Sequence, residues 1–234
     1  MKKIVFLIII AIISSSLFAQ NKETTVEQRY LSTTIEIAIV TELAGADTRE
    51  QKLIALDTIE QMIKDGKIKQ DDIQINNVLT GLAGEGTFIV VREGNRKINN
   101  FPEVRTRAAK ALGELGGEKS KNTLIDITTK ENEPMVLSQA VFSLGIIGLN
   151  DNNESLLAIA RVLELNSKRY PLPDDNLAVA ALLAIEKIAE KNNGFPPEPD
   201  PRYLYRAIIE VQQGNYSTNV RKWAESLITK LRHY

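Results

Sequence analysis

Apolar residues keep to one side of a helix at five places along the chain. Around Ala108 the apolar positions at −4, +3, +4 and +7 are Val104, Ala111, Leu112 and Leu115. At about 100° per residue they share one face of an α-helix. The same spacing returns around Ala140 (Val136, Leu144 and Ile147, with Ser143 as the polar exception), Ala181 (Leu177, Ala184, Ile185, Ile188) and Ala224 (Val220, Leu227, Ile228, Leu231). A weaker copy surrounds Ala55, with Ile59 and Met62, but has Gln51 where the others carry Val or Leu. Segments 25–43, 71–83, 119–130, 152–165 and 201–213 read as partner helices. The pattern predicts five helical hairpins in series.

Two of these helices nearly repeat each other in sequence. "PEVRTRAAKALGELGG" from Pro102 to Gly117 returns as "PMVLSQAVFSLGIIG" from Pro134 to Gly148, with Pro, Val, Ala, Leu and two Gly positions matched 32 residues apart. A fixed period of this length signals stacked repeats, because a single hairpin cannot bury its own stripe. The later anchors lie 41 and 43 residues apart and the first two 53 apart, so insertions separate them. "NSKRYPLPDDN" from Asn166 and "NNGFPPEPDP" from Asn192 carry prolines that end helices. "GEGTFIVVREGNRKINN" from Gly84 holds a β-rich run, Thr87 to Val91, a Glu-Gly-Asn turn and a second short run, which predicts a small β-hairpin near residues 86–100. Asp47, Asp71 and Ser217 or Thr218 are the expected N-caps, and Gly66, Gly116 with Gly117, Gly148, Gly194 and Gly214 the expected helix stops.

The stretch "VRTRAAKALGELG" resembles the second helix of a HEAT repeat, of the HEAT-like type also found in phycobilisome lyase subunits. The family's Val-Arg pair stands at Val104 with Arg105 and at Val220 with Arg221, while Leu137 and Ala178 interrupt any arginine ladder between them. The resemblance implies an all-α, right-handed α-solenoid of about five HEAT-like hairpins over residues 20–234, with second helices lining a concave surface. It also implies a module that binds rather than reacts. Two enzymatic relatives, a lyase or lyase chaperone and an alkylpurine DNA glycosylase, are the competing implications.

The first twenty residues, "MKKIVFLIIIAIISSSLFAQ", place Lys2 and Lys3 before an apolar run from Ile4 to Ile13, then serines and Ala19. That is the layout of a secretory signal, expected to end after Ala19, with an uncleaved anchor as the alternative because Leu17 is bulky. Gln20 stands where a lipoprotein would carry its lipidated cysteine, so the reading is periplasmic or secreted, not a lipoprotein, with no membrane insertion after cleavage. Without Lys2 and Lys3 the 29 basic residues become 27 against 30 acidic ones. A charge of this sign, with no basic run, argues against nucleic acid as partner. The absence of cysteine excludes disulfides, thiolate zinc sites and thiol catalysis.

No stretch carries convincing chemistry. "GELGGEKS" from Gly113 approaches a phosphate-binding loop, but Glu118 stands where glycine must precede the lysine. His233 is the sole histidine and the penultimate residue. The acid pairs Asp71–Asp72 and Asp174–Asp175 start helices, where acids favour the dipole. "LNDNNES" from Leu149 is oxygen-rich but lacks the alternation of a calcium loop. No catalytic, cofactor or metal-ligating residues are assigned.

Positions +2 and +6 from each anchor point away from the stripe. At the ends of the array they are polar, but in the middle they present Phe142, Ile146 and Leu183, with Val179 nearby and Lys110 and Lys187 at the flanks. These six residues form the candidate strip for another protein or peptide; the alternative is burial among the central helices. Arg92, Arg96 and Lys97 on the predicted hairpin form a second candidate, against a solvated turn. The expected function is a non-enzymatic protein- or peptide-binding scaffold exported to the bacterial cell envelope. A structural spacer, acting through the outer faces of the first helices, is the alternative.

Overall fold

The computed structural model describes residues 25–70, 72–197 and 200–234. The signal segment 1–19 and the cap candidate Asp71 lie outside them. The described residues hold ten helices and one two-stranded hairpin: α1 (Val26–Gly45), α2 (Arg49–Lys64), α3 (Ile73–Ala83), β1 (Arg92–Glu93), β2 (Arg96–Lys97), α4 (Pro102–Leu115), α5 (Gly117–Lys130), α6 (Pro134–Ile147), α7 (Glu154–Ser167), α8 (Asp175–Asn192), α9 (Arg202–Gln213) and α10 (Thr218–Leu231). By their contacts they divide after Glu36. Before the division, Thr34 donates back to the Tyr30 carbonyl at 2.9 Å and Ser32 donates forward to the Glu36 carboxylate at 3.1 Å.

Residues 37–234 form two layers. The second helices α2, α4, α6, α8 and α10 pack side by side in chain order, and the first helices α3, α5, α7 and α9 do the same behind them. Within each pair, α3 lies on α4, α5 on α6, α7 on α8 and α9 on α10. The anchors Ala55, Ala108, Ala140, Ala181 and Ala224 are fully enclosed, and their aliphatic partners join one continuous core. This is an all-α repeat solenoid with a small β-hairpin. Gln51, the departure from the stripe, is exposed, and the neighbouring Lys52 is buried instead, donating to the Ala44 carbonyl at 3.0 Å and pairing with Glu85 at 3.0 Å.

The two repeated glycine pairs serve two different purposes. Gly113 and Gly145 let second helices touch: a Cβ on Gly145 would stand 2.6 Å from Ala184 Cα, and one on Gly113 would stand 2.6 Å from Ser143 Oγ. Gly116 and Gly148 end α4 and α6 with φ of 76° and 70°, a region open to glycine at little steric cost.

Several local expectations are corrected. Thr48, not Asp47, caps α2, accepting from the Gln51 amide, and Asp72 caps α3, accepting from the Ile75 amide at 3.0 Å. Ser217 occupies the N-cap of α10 without a side-chain bond. The run from Thr87 to Val91 is not a strand. The Gly84 carbonyl accepts the amides of Thr87, Phe88 and Ile89, which coils the chain into a turn with Phe88 folded over Gly84. The two-residue strands β1 and β2 pair around Gly94 and Asn95, and Glu85 and Ile89 form an isolated parallel bridge.

Candidate functional site

The outward face of the second layer repeats with the anchors. Positions −5, −1, +2 and +6 give Glu103, Arg107, Lys110 and Glu114 on α4, Met135, Gln139, Phe142 and Ile146 on α6, and Asn176, Ala180, Leu183 and Lys187 on α8. None of these twelve is buried. Their spacing of four, three and four residues is one helical stripe, opposite the core stripe.

The flanks of this face are laced by ion pairs between successive helices. Arg107 on α4 reaches Asp57 at 2.6 Å and Glu60 at 3.1 Å on α2, and Lys110 reaches Glu60 at 3.6 Å and Glu114 at 3.4 Å. At the other flank Lys230 on α10 bonds Glu186 at 2.8 Å and Glu190 at 2.6 Å on α8. Those hydrogen bonds raise the Lys230 ammonium above its ordinary range, and the bond from Lys230 holds the Glu190 carboxyl below its own. Between the flanks α6 carries no charge on its outer stripe. Met135 is 54% exposed and Ile146 36%, while Phe142 is half-buried with the Lys187 ammonium 6.0 Å from its ring centre. Neighbouring helices do not enclose Phe142 or Ile146.

A cleft of about 560 Å³ opens along this stripe, lined by Thr106 of α4, Pro134, Met135, Ser138, Gln139 and Phe142 of α6, Asn176 and Ala180 of α8, and the preceding residues Glu133 and Asp174. Of the six sequence-derived residues, Phe142 lines it. Ile146 continues the same stripe of α6, and Leu183 and Lys187 stand on α8. Lys110 is held by its two glutamates, and Val179 packs partly against the core, one residue off the stripe that Ala180 occupies. The +2 and +6 rows alone do not reach Met135, Gln139 and Ala180, which stand on the −5 and −1 rows of the same stripe.

The hairpin does not gather its three bases. Arg92 stands opposite Lys97 and Glu93 opposite Arg96, so Arg96 projects from the other face, and Lys97 donates to the Gly86 carbonyl at 3.3 Å. The loop-like Gly113–Ser120 segment is the end of α4, a glycine turn and the start of α5, with Lys119 bonded to Asn77 at 2.7 Å and Glu118 to Lys121 at 2.6 Å. In Leu149–Ser155 the side chains Asn150, Asn153 and Ser155 are buried and bonded to one another's surroundings, which makes the stretch a latch. Among the described residues no group of His, Cys, Asp or Glu could hold a metal ion, and no helix is long and apolar enough to cross a membrane.

A family model described as HEAT repeats matches residues 97–164. This segment consists of HEAT repeats. The HEAT repeats supply α4, α5, α6 and most of α7, and so the helices on two sides of the cleft. HEAT repeats in general are protein-interaction scaffolds. No curated protein matches the chain.

Proposed function

We propose that this chain is a non-enzymatic scaffold that binds another protein or peptide on the outer face of its second helices. One observation carries the reading: Met135, Phe142 and Ile146 stay open on a face whose flanking helices α4 and α8 carry ion pairs to their outer neighbours. An apolar strip with a charged rim is the anatomy of a recognition surface. The HEAT repeats beneath it support the reading, and a face already rigid in the packed array spares the partner's binding energy the expense of ordering it. The first twenty residues support export, and the place of action proposed is the bacterial cell envelope, after removal of residues 1–19.

A photo-crosslinking residue placed at Gln139 in cells tests this, with the same residue at Leu157 on the first layer as the comparison. Capture of one protein through position 139, lost when Phe142 becomes Ala, is the expected result. Capture through position 157 alone would favour the spacer reading. Sequencing the amino terminus of the purified protein checks export separately: a chain beginning at Gln20 is expected.

A further inference from the structure

The cleft floored by Phe142 carries formal charge of a single sign. Glu133 and Asp174 are its charged lining residues, and both are acids. They occupy equivalent places, Glu133 immediately before Pro134 of α6 and Asp174 as N-cap of α8, so both stand at the same end of the cleft. One oxygen of Asp174 accepts from the Leu177 amide at 2.9 Å, and Glu133 caps nothing. Arg169 comes near this end of the cleft, where its guanidinium donates to the Asn132 carbonyl at 3.2 Å. The floor is largely apolar; Ser138 donates to the Pro134 carbonyl at 2.8 Å and the Gln139 amide nitrogen donates to Ser143 Oγ at 3.2 Å. Further along α6 the sign reverses, with Lys187 over Phe142.

From this arrangement we infer the class of partner: a peptide segment with a lysine or arginine beside an aliphatic or aromatic side chain. The base meets Glu133 and Asp174, and the apolar group lies on Met135 and Phe142. Complementary charge fixes the register, because a base carried to the other end would meet Lys187. An acidic segment is repelled from the same cleft. The inference rests on the scaffold reading above and adds the partner's charge and direction to it.

The test uses the purified full chain and a display library of random dodecapeptides. Enriched peptides are labelled with fluorescein, and their binding is read by anisotropy against Glu133→Gln, Asp174→Asn and Phe142→Ala. Asparagine caps a helix about as well as aspartate, so Asp174→Asn removes charge and keeps the cap. A thermal melt confirms this, and if the melt falls, Glu133→Gln carries the charge test alone. Expected are peptides with a base within a few residues of an apolar side chain, weakened roughly five- to tenfold by each acid replacement and by raised salt, and lost with Phe142→Ala. Peptides that need Phe142 but are acidic, or are indifferent to both acid replacements, would overturn the charge assignment and leave the scaffold face standing. Failure to enrich any peptide that depends on Phe142 would remove both.

Discussion

Arg105 and Glu131 meet inside the protein, Nε to Oε2 at 2.6 Å, with each side chain 3% exposed. The same guanidinium donates to the Glu85 carbonyl at 3.1 Å and to Asn100 Oδ1 at 2.9 Å. Glu131 in turn accepts the amides of Asn132 and Glu133 at 2.8 and 2.9 Å. The pair therefore ties the insertion after α3 to the loop that enters the cleft. Removing one partner strands the other's charge without water. Arg105→Met is expected to lower stability by roughly 3–5 kcal/mol, and urea melts of Arg105→Met, Glu131→Met and the double variant should show strong positive coupling. Additive losses would mean that the two groups act independently.

The close approach at Gly145 gives a second prediction. A methyl group there meets the backbone of Ala184, which cannot swing aside as a side chain can. Gly145→Ala should cost about 1–3 kcal/mol through overpacking. Gly81, inside α3, has nothing within 4 Å of its added Cβ. Gly81→Ala should therefore gain up to about 1 kcal/mol from helix propensity. Thermal melts of the two variants should move in opposite directions.

How much of this was readable in the sequence follows from which interactions are local. The core stripe was legible because Ala and aliphatic residues recur at helical spacing, and all five anchors are enclosed. On that footing Leu112→Asp and Ala140→Arg, each placing a charge at a position without solvent access, should abolish cooperative melting. The helix starts were displaced by one residue where two adjacent side chains can both cap, as with Asp47 and Thr48. The run from Thr87 to Val91 has strand composition, but the folded-back ring of Phe88 and the crowded Gly84 carbonyl decide its shape. Arg105 belonged to a recognised Val-Arg pair, yet its partner lies 26 residues away, beyond any helical spacing. The strip on α6 was found through Phe142 and Ile146, while the cleft required knowing that Glu133 and Asp174 begin neighbouring helices.

Acid should loosen the array before alkali does. Burial opposes ionisation of Glu154, but hydrogen bonds from Lys121 at 2.5 Å and from the Asn152 amide outweigh it and hold the carboxyl below its ordinary 4.5. The bond from Lys230 does the same for Glu190. A carboxyl with a lowered folded pKa contributes stability above its unfolded value, and that contribution disappears as pH falls through the folded one. These groups predict a melting temperature that is flat from about pH 6 to 8 and declines below about 4.5. Lys121→Met should flatten the acid limb. On the alkaline side Lys121 is raised, burial again opposing and its two glutamates prevailing, so its contribution persists to beyond 10.5.

Asn153 offers the sharpest separation of backbone from side chain. It is fully buried at the N-cap of α7, with φ 56° and ψ 14°, a left-handed conformation that asparagine tolerates and alanine resists. Its Nδ2 donates to the Pro196 carbonyl at 2.8 Å, and its Oδ1 accepts from Asn150 at 3.0 Å. Its own carbonyl accepts from the Tyr203 hydroxyl at 3.2 Å, and burial, aided by Glu154, pushes that phenol up to about 12, so the bond survives moderate alkali. Asn153→Gly keeps the backbone shape and loses these side-chain bonds, which should cost about 1–3 kcal/mol. Asn153→Ala loses the bonds and adds roughly 1–2 kcal/mol of left-handed strain. Denaturant melts should rank the variants in that order, and hydrogen exchange should quicken in the first turn of α7. Equal stability of the Gly and Ala variants would show that the latch is held by its side-chain bonds alone.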